Sequence, residues 1–201
     1  MRRPSTSAAL LFTAVFLSTP VYAQAPASSP ATPPAQSNVV ANPTYHAIEL
    51  ETTVNKPAAD VWRRVGKYCD IAEWLRVTCA ITSGKDSELG AVRTLNGTTV
   101  EILVARTEYS YTYSQPVRAG VAYNQYHGTV EARPLTPTTT RLRYLLVFDN
   151  SMLADDAARA ADIARRTTRF TDALANMKIL AEGGTLPPAP AAGATPAPTR
   201  R

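Results

Sequence analysis

The stretch GAVRTLNGTTVEILVARTEYSYTYS, Gly90 to Ser114, decides the fold, because its residues run with a period of two on either side of Asn96-Gly97. Asn-Gly between such runs is the strongest short signal for a β-hairpin, since both central positions of a type I′ turn need positive φ. Strands are therefore expected over Ala91–Leu95 and Thr98–Thr107, with another over Tyr109–Gln115. Asn96-Gly97-Thr98 is also formally a glycosylation sequon, but turn chemistry accounts for these residues without it.

Outward from this hairpin the pattern repeats on both sides. His46–Val54 alternates and reads as a strand. Lys56–Gly66 has Pro57 at a helix start, Val61 and Val65 four apart and Gly66 as a stop, which predicts a short helix. A second helical turn is expected over Asp70–Trp74 and a strand over Val77–Thr82. Downstream, strands are expected over Ala122–Ala132 and Thr139–Phe148, with Pro116–Gly120 and Arg133–Pro137 as connections.

Beyond Asp149 the character changes. Ala154–Ala181 contains no Gly or Pro, and Ile163, Thr167, Phe170, Leu174, Met177 and Ala181 recur at spacings of three and four, one face of a long amphipathic helix. Many antiparallel strands and one long terminal helix bury their apolar faces only against each other. The class is α+β, with a curved sheet folded around the C-terminal helix.

The two ends of the chain are not part of that domain. Arg2 and Arg3, the mostly apolar run Ala8–Leu17 and the small-x-small pattern Val21-Tyr22-Ala23 read as a secretory signal peptide over residues 1–23, cleaved after Ala23. Ser18, Thr19 and Pro20 interrupt the apolar run before the roughly 20 residues a spanning helix needs, so no integral membrane span is expected. The expected location is the periplasm if the source is Gram-negative, and otherwise outside the cell. Residues 24–43 and 183–201 are rich in Pro and Ala and read as a linker and a tail, leaving residues 44–182 as one domain.

The net charge of +5 belongs mostly to those ends. Between Thr44 and Glu182, 17 Lys and Arg face 16 Asp and Glu, a net of +1, so the domain has no electrostatic case for a nucleic-acid partner. Arg165, Arg166 and Arg169 cluster on the long helix and read as a solvated face.

Several short markers occur in order along the domain. Pro57, Val61 and Trp62 give a Pro-x-x-x-Val-Trp helix start after the first strand; Gly90 and Arg93 give a Gly-x-x-Arg strand; Glu101 comes early in the strand after the hairpin. Tyr109–Tyr113 is a Tyr-Ser-Tyr-type strand, and Tyr126 and Gly128 form Tyr-x-Gly. Together they resemble the START-related superfamily, which includes polyketide cyclases and birch-pollen-allergen-like proteins. The resemblance spans residues 46–182. It implies a helix-grip fold: a seven-stranded antiparallel sheet around the long C-terminal helix, two short helices after strand one, and a cavity between sheet and helix.

The only two cysteines, Cys69 and Cys79, admit a disulfide, half of a metal site, a redox pair or two buried thiols. Export and their placement favour a structural disulfide joining the end of the short helical segment to the next strand. A metal site is poor, because His46 and His127 are the only histidines and there is no C-x-x-C spacing.

The resemblance points to Arg93 and Glu101 as cavity polar groups on neighbouring strands, where they would orient a ligand oxygen or form a structural ion pair. Tyr109, Tyr111 and Tyr113 fall at alternate positions and so project from one face. On the concave face they would line the cavity beside Tyr126; on the convex face they would form an aromatic ladder suited to a protein partner; plain core packing is the third option. No catalytic residue is marked, since there is no G-x-S-x-G elbow, no phosphate-binding Gly loop and no Cys-His arrangement, although His127 or Glu101 would serve as an acid or base. The leading reading is an exported carrier or sensor for an apolar small molecule or lipid, without cofactor or metal. A cyclase or dehydratase, and an accessory protein for a periplasmic enzyme, are the alternatives.

Overall fold

A computed structural model describes residue 40 and residues 42–118 and 120–188. The expected signal segment 1–23, nearly all of the linker 24–43 and the tail beyond residue 188 lie outside the described residues.

Ten elements follow one another: β1 (Tyr45–Val54), α1 (Ala58–Val65), α2 (Ile71–Trp74), β2 (Cys79–Ser83), β3 (Val92–Leu95), β4 (Thr99–Thr107), β5 (Ser110–Ser114), β6 (Asn124–Thr136), β7 (Thr139–Asp149) and α3 (Asp156–Ala181). The strands form one antiparallel sheet in the order β1-β7-β6-β5-β4-β3-β2. This is the expected seven-stranded helix-grip arrangement, with α3 against the sheet's concave face.

Local chemistry accounts for the element ends. Asn96 and Gly97 have φ of 49° and 70°, the positive pair a type I′ turn requires, and the Asn96 Oδ1 also accepts a hydrogen bond from the Thr78 backbone N–H at 3.0 Å. Pro57 caps α1, and Gly66 ends it where a Cβ would stand 2.3 Å from the Trp62 ring. The Asp155 side chain caps α3 by accepting from the Ala158 N–H at 2.7 Å, so the helix starts at Asp156 rather than Ala154.

Other boundaries also differ from the sequence expectation. β6 runs on through Arg133–Thr136, which had read as a connection; Pro134 sits beside a register shift, the kind of site where a strand tolerates a missing N–H. β2 begins at Cys79 rather than Val77, because the Val77 N–H still bonds to the Ala72 carbonyl as the chain leaves α2. β5 begins at Ser110, which leaves Tyr109 in the turn from β4.

The core lies between the concave sheet face and the helices. Val130, Leu142, Tyr144, Leu146 and Phe148 meet Phe170, Leu174, Met177 and Ala181 of α3, with Ile71 and Trp74 of α2 closing one side. Ala173 and Leu180 join the buried face of α3, while Ile163 and Thr167 are only half-buried. The convex face is polar, with Arg143 bonded to Glu49 at 2.6 Å and Thr112 to Thr129 at 2.8 Å.

Cys69 and Cys79 form a disulfide, with Cα atoms 5.7 Å apart, tying the segment before α2 to the first residue of the edge strand β2. After α3 the chain turns back: Leu186 packs on the core and the Arg76 guanidinium donates to the Pro187 carbonyl. Among the described residues, no helix is long and apolar enough to cross a membrane.

Candidate functional site

A cavity of about 750 Å³ lies beneath the middle of α3. Its apolar wall is built from Ile71, Leu75, Val77, Leu95 and Phe170. Glu101, Tyr113, Gln115, Tyr123 and Tyr126 supply the polar wall, and Arg165, Arg166, Arg169 and Asp172 come from α3. A volume in the range of roughly 300–1,000 Å³, with apolar walls and a few polar groups, is typical of small-molecule sites.

Strand alternation puts the polar wall together. Glu101 and Arg93 are direct partners in the β3–β4 register, both with side chains on the concave side and both buried. The Arg93 Nε donates to Glu101 Oε2 at 2.7 Å and its Nη1 donates to the Tyr68 carbonyl. Gln115 Nε2 donates to the other carboxylate oxygen, Oε1, at 2.8 Å, and the Tyr123 hydroxyl donates to Gln115 Oε1 at 2.5 Å. Each oxygen of Glu101 therefore already holds a donor. The Arg93 guanidinium also lies 4.0 Å from the centre of the Tyr68 ring and 4.9 Å from that of Tyr113, close enough for cation–π attraction.

The Tyr113 ring crosses its register partner Gly128, where a Cβ would stand 2.3 Å from the ring. That close approach explains the Tyr-x-Gly pattern: only glycine leaves room for the phenol. The Tyr113 hydroxyl bonds to that of Tyr144 at 2.8 Å. Burial pushes the phenols of Tyr113, Tyr126 and Tyr144 well up from their ordinary range, so they present neutral hydroxyls.

The sequence-selected residues separate into three places. Glu101, Tyr113 and Tyr126 line the cavity. Arg93 stands behind Glu101, and Tyr111, at 2% exposure, lines a smaller hollow of about 190 Å³ with Trp62 and Leu103. Tyr109 sits half-buried at the β4–β5 turn. Tyr111 and Tyr113 are thus interior, and the convex aromatic ladder considered from sequence does not exist. His127 neighbours the inward Tyr126 in β6, so strand alternation puts it on the convex side, where its Nδ1 lies 2.9 Å from the Gln125 carbonyl oxygen. Among the described residues, no group of three or more His, Cys, Asp or Glu side chains is placed to hold a metal ion.

Sequence reasoning missed Gln115, Tyr123 and Arg166. Gln115 follows Tyr113 by two, so extending the period-two pattern by one step would have found it. Arg166 had read as part of a solvated face. Its side chain is only 13% exposed, because Asp162, Arg166 and Phe170 are spaced by four and form one inward stripe. Arg165 and Arg169 do face solvent. Tyr123 falls in the expected strand Ala122–Ala132, but β6 begins at Asn124, so strand alternation does not place its side chain.

Comparison with known proteins agrees with this fold. Residues 45–182 match the family model described as polyketide cyclase / dehydrase and lipid transport. Among solved structures, the chain is similar to the Zhui aromatase/cyclase of a Streptomyces species, with a TM-score of 0.57 and 19% identity over 71% of this chain and 100% of that one. It is also similar to a protein of Thermobifida fusca, with a TM-score of 0.55 and 21% identity over 70% of this chain and 97% of that one. A protein of Nitrosospira multiformis aligns with a TM-score of 0.51 and 23% identity over 66% of this chain and 96% of that one. No curated protein sequence matches.

Proposed function

The chain belongs to the polyketide cyclase / dehydrase and lipid transport family, and on that premise we propose that it is a binding protein which holds an apolar small molecule or lipid in the cavity under α3. One observation carries the reading: both carboxylate oxygens of Glu101, the acid facing the cavity, already accept donors from Arg93 and Gln115. A carboxylate clamped in this way orients a ligand through its neighbours better than it abstracts a proton. We propose further that the protein works outside the cytoplasm as a carrier or sensor. The Arg2-Arg3 start with its apolar run supports export, and the Cys69–Cys79 disulfide suits an oxidising compartment.

The test pairs native mass spectrometry of protein purified from its source with displacement of the uncharged dye N-phenyl-1-naphthylamine. A co-purifying small molecule, or saturable dye binding lost in the cavity-filling variant Val77→Trp, supports the reading. Dye binding that Val77→Trp leaves unchanged would place binding elsewhere and sink it.

Cyclisation or dehydration of a keto substrate is a second reading, favoured by the Tyr113–Tyr144 hydroxyl pair beside the cavity. Neutral phenols can donate to a keto oxygen. That reading expects turnover of a poly-β-keto thioester that falls at least about tenfold in Tyr113→Phe, and equal turnover in the variant would end it.

A further inference from the structure

The binding reading leaves open what kind of apolar molecule the cavity selects, and the charges on its walls bear on that. Glu101 is neutralised inside the protein by Arg93, so it offers little to a cationic ligand. The α3 side is different. Arg166 lies among aromatic rings, its guanidinium carbon 4.6 Å from the centre of Phe148, 4.9 Å from that of Tyr123 and 5.2 Å from that of Tyr126. Its Nε donates to Asp162 Oδ2 at 2.9 Å. Its Nη1 and Nη2 have no hydrogen-bond acceptor among the described residues, although the side chain is only 13% exposed.

Asp162 does not belong to Arg166 alone. Its other oxygen, Oδ1, accepts from Arg165, and the Asn150 amide also reaches Oδ2 at 3.4 Å. One carboxylate thus serves two guanidinium groups. Arg169, the third arginine lining the cavity, has no ion-pair partner among the described residues. Asp172 lies on the same rim and is exposed. The α3 wall therefore carries an excess of positive charge, and the most desolvated part of it is a guanidinium with forked donors to spare. An apolar carboxylic acid matches both halves: its oxygens fit a guanidinium fork, and its body fits the Ile71, Leu75, Val77, Leu95 and Phe170 wall.

We propose that the cavity is selective for apolar carboxylic acids, with the carboxylate received by Arg166 from α3 and Arg169 drawing it in at the rim. Arg166 is the specificity-determining residue of this arrangement. The proposal rests on the cavity being a ligand site, and the experiment separates the two.

Decanoate, decanol and methyl decanoate are titrated against the full chain by displacement of N-phenyl-1-naphthylamine. The expected result is decanoate binding at least tenfold tighter than the other two. Arg166→Met keeps the apolar volume and removes the charge; it should abolish the preference while leaving decanol affinity within about twofold. Arg166→Lys, which retains the charge, should keep part of the preference, and it also serves if Arg166→Met does not fold. Equal affinity for acid, alcohol and ester in the native protein overturns this inference and leaves the binding reading intact. A preference that survives Arg166→Met likewise overturns it. Failure of all three to displace a dye that does bind overturns this inference alone, whereas failure of the dye to bind overturns both.

Discussion

Arg93 stands directly across from Glu101 in the β3–β4 register, both side chains are cut off from water, and the pair divides the interior of the protein. Glu101 faces the cavity under α3, while Tyr111, near the far side of the guanidinium, lines the smaller hollow by α1. The pair is held by bonds to Gln115 and to the Tyr68 carbonyl, so it is a structural joint as well as a wall.

Removing one member of that pair should cost far more than removing both. Arg93→Met leaves the Glu101 charge buried without its cation, and urea unfolding should show a loss of about 3–5 kcal/mol. The double variant Arg93→Met with Glu101→Leu should recover most of that loss, because no buried charge is then left without its counter-ion and only the neutral Gln115 amide and Tyr68 carbonyl lose a partner. A double variant as unstable as the single would show that the pair is not coupled.

Gly128 is expected to tolerate no side chain. A Cβ there falls 2.3 Å from the Tyr113 ring, so Gly128→Ala must push the phenol off β6 and break its bond to Tyr144. Overpacking of this kind costs about 1–3 kcal/mol. Chemical denaturation gives the magnitude, and an altered near-UV circular dichroism signal reports the displaced tyrosine; an unchanged spectrum at unchanged stability would refute the account.

The Cys69–Cys79 bond closes a loop with a sequence separation of 10. Constraining the unfolded chain over such a loop stabilises the fold by about 2–3 kcal/mol in the chain-entropy model. Replacing both cysteines by alanine should lower stability by that amount, and adding a reductant to the native protein should match the double variant. No loss in either would mean that α2 and β2 hold each other without the bond.

Alkaline pH should destabilise the protein through its interior phenols. Burial raises the folded pKa of Tyr68, Tyr111, Tyr113, Tyr126 and Tyr144 above the ordinary tyrosine value. An unfolded tyrosine ionises near pH 10, so above about that pH unfolding releases protons that the folded state retains. Stability from this source is complete below about pH 10 and is lost as the pH climbs past it. Absorbance at 295 nm should show these five phenols ionising only together with the loss of circular dichroism; ionisation in the folded protein would contradict their burial.

Much of the architecture could be read from local pattern. The Asn96-Gly97 turn needs no distant partner to favour a hairpin, and the Phe170, Leu174, Met177 and Ala181 stripe is buried as its spacing requires. The boundaries that moved did so for tertiary reasons: Pro134 is carried into β6 by the long pairing with β7, and Tyr109 is left in a turn by the tight β4–β5 connection.

The site divides along the same line. Sequence alone determined the strand and helix order and the buried stripe of α3, because these follow from period and turn chemistry; a family resemblance pointed to Arg93 and Glu101, and expected export favoured pairing Cys69 with Cys79. Only the tertiary structure decided that Tyr111 and Tyr113 point into the protein and face different hollows, and that Arg166 turns inward while Arg165 and Arg169 do not. Arg166 is fixed by Phe148, Tyr123 and Tyr126, which lie far from it in the chain. A side chain's environment is set by whatever the fold brings opposite it, and a charge beside aromatic rings looks no different in sequence from a charge beside water.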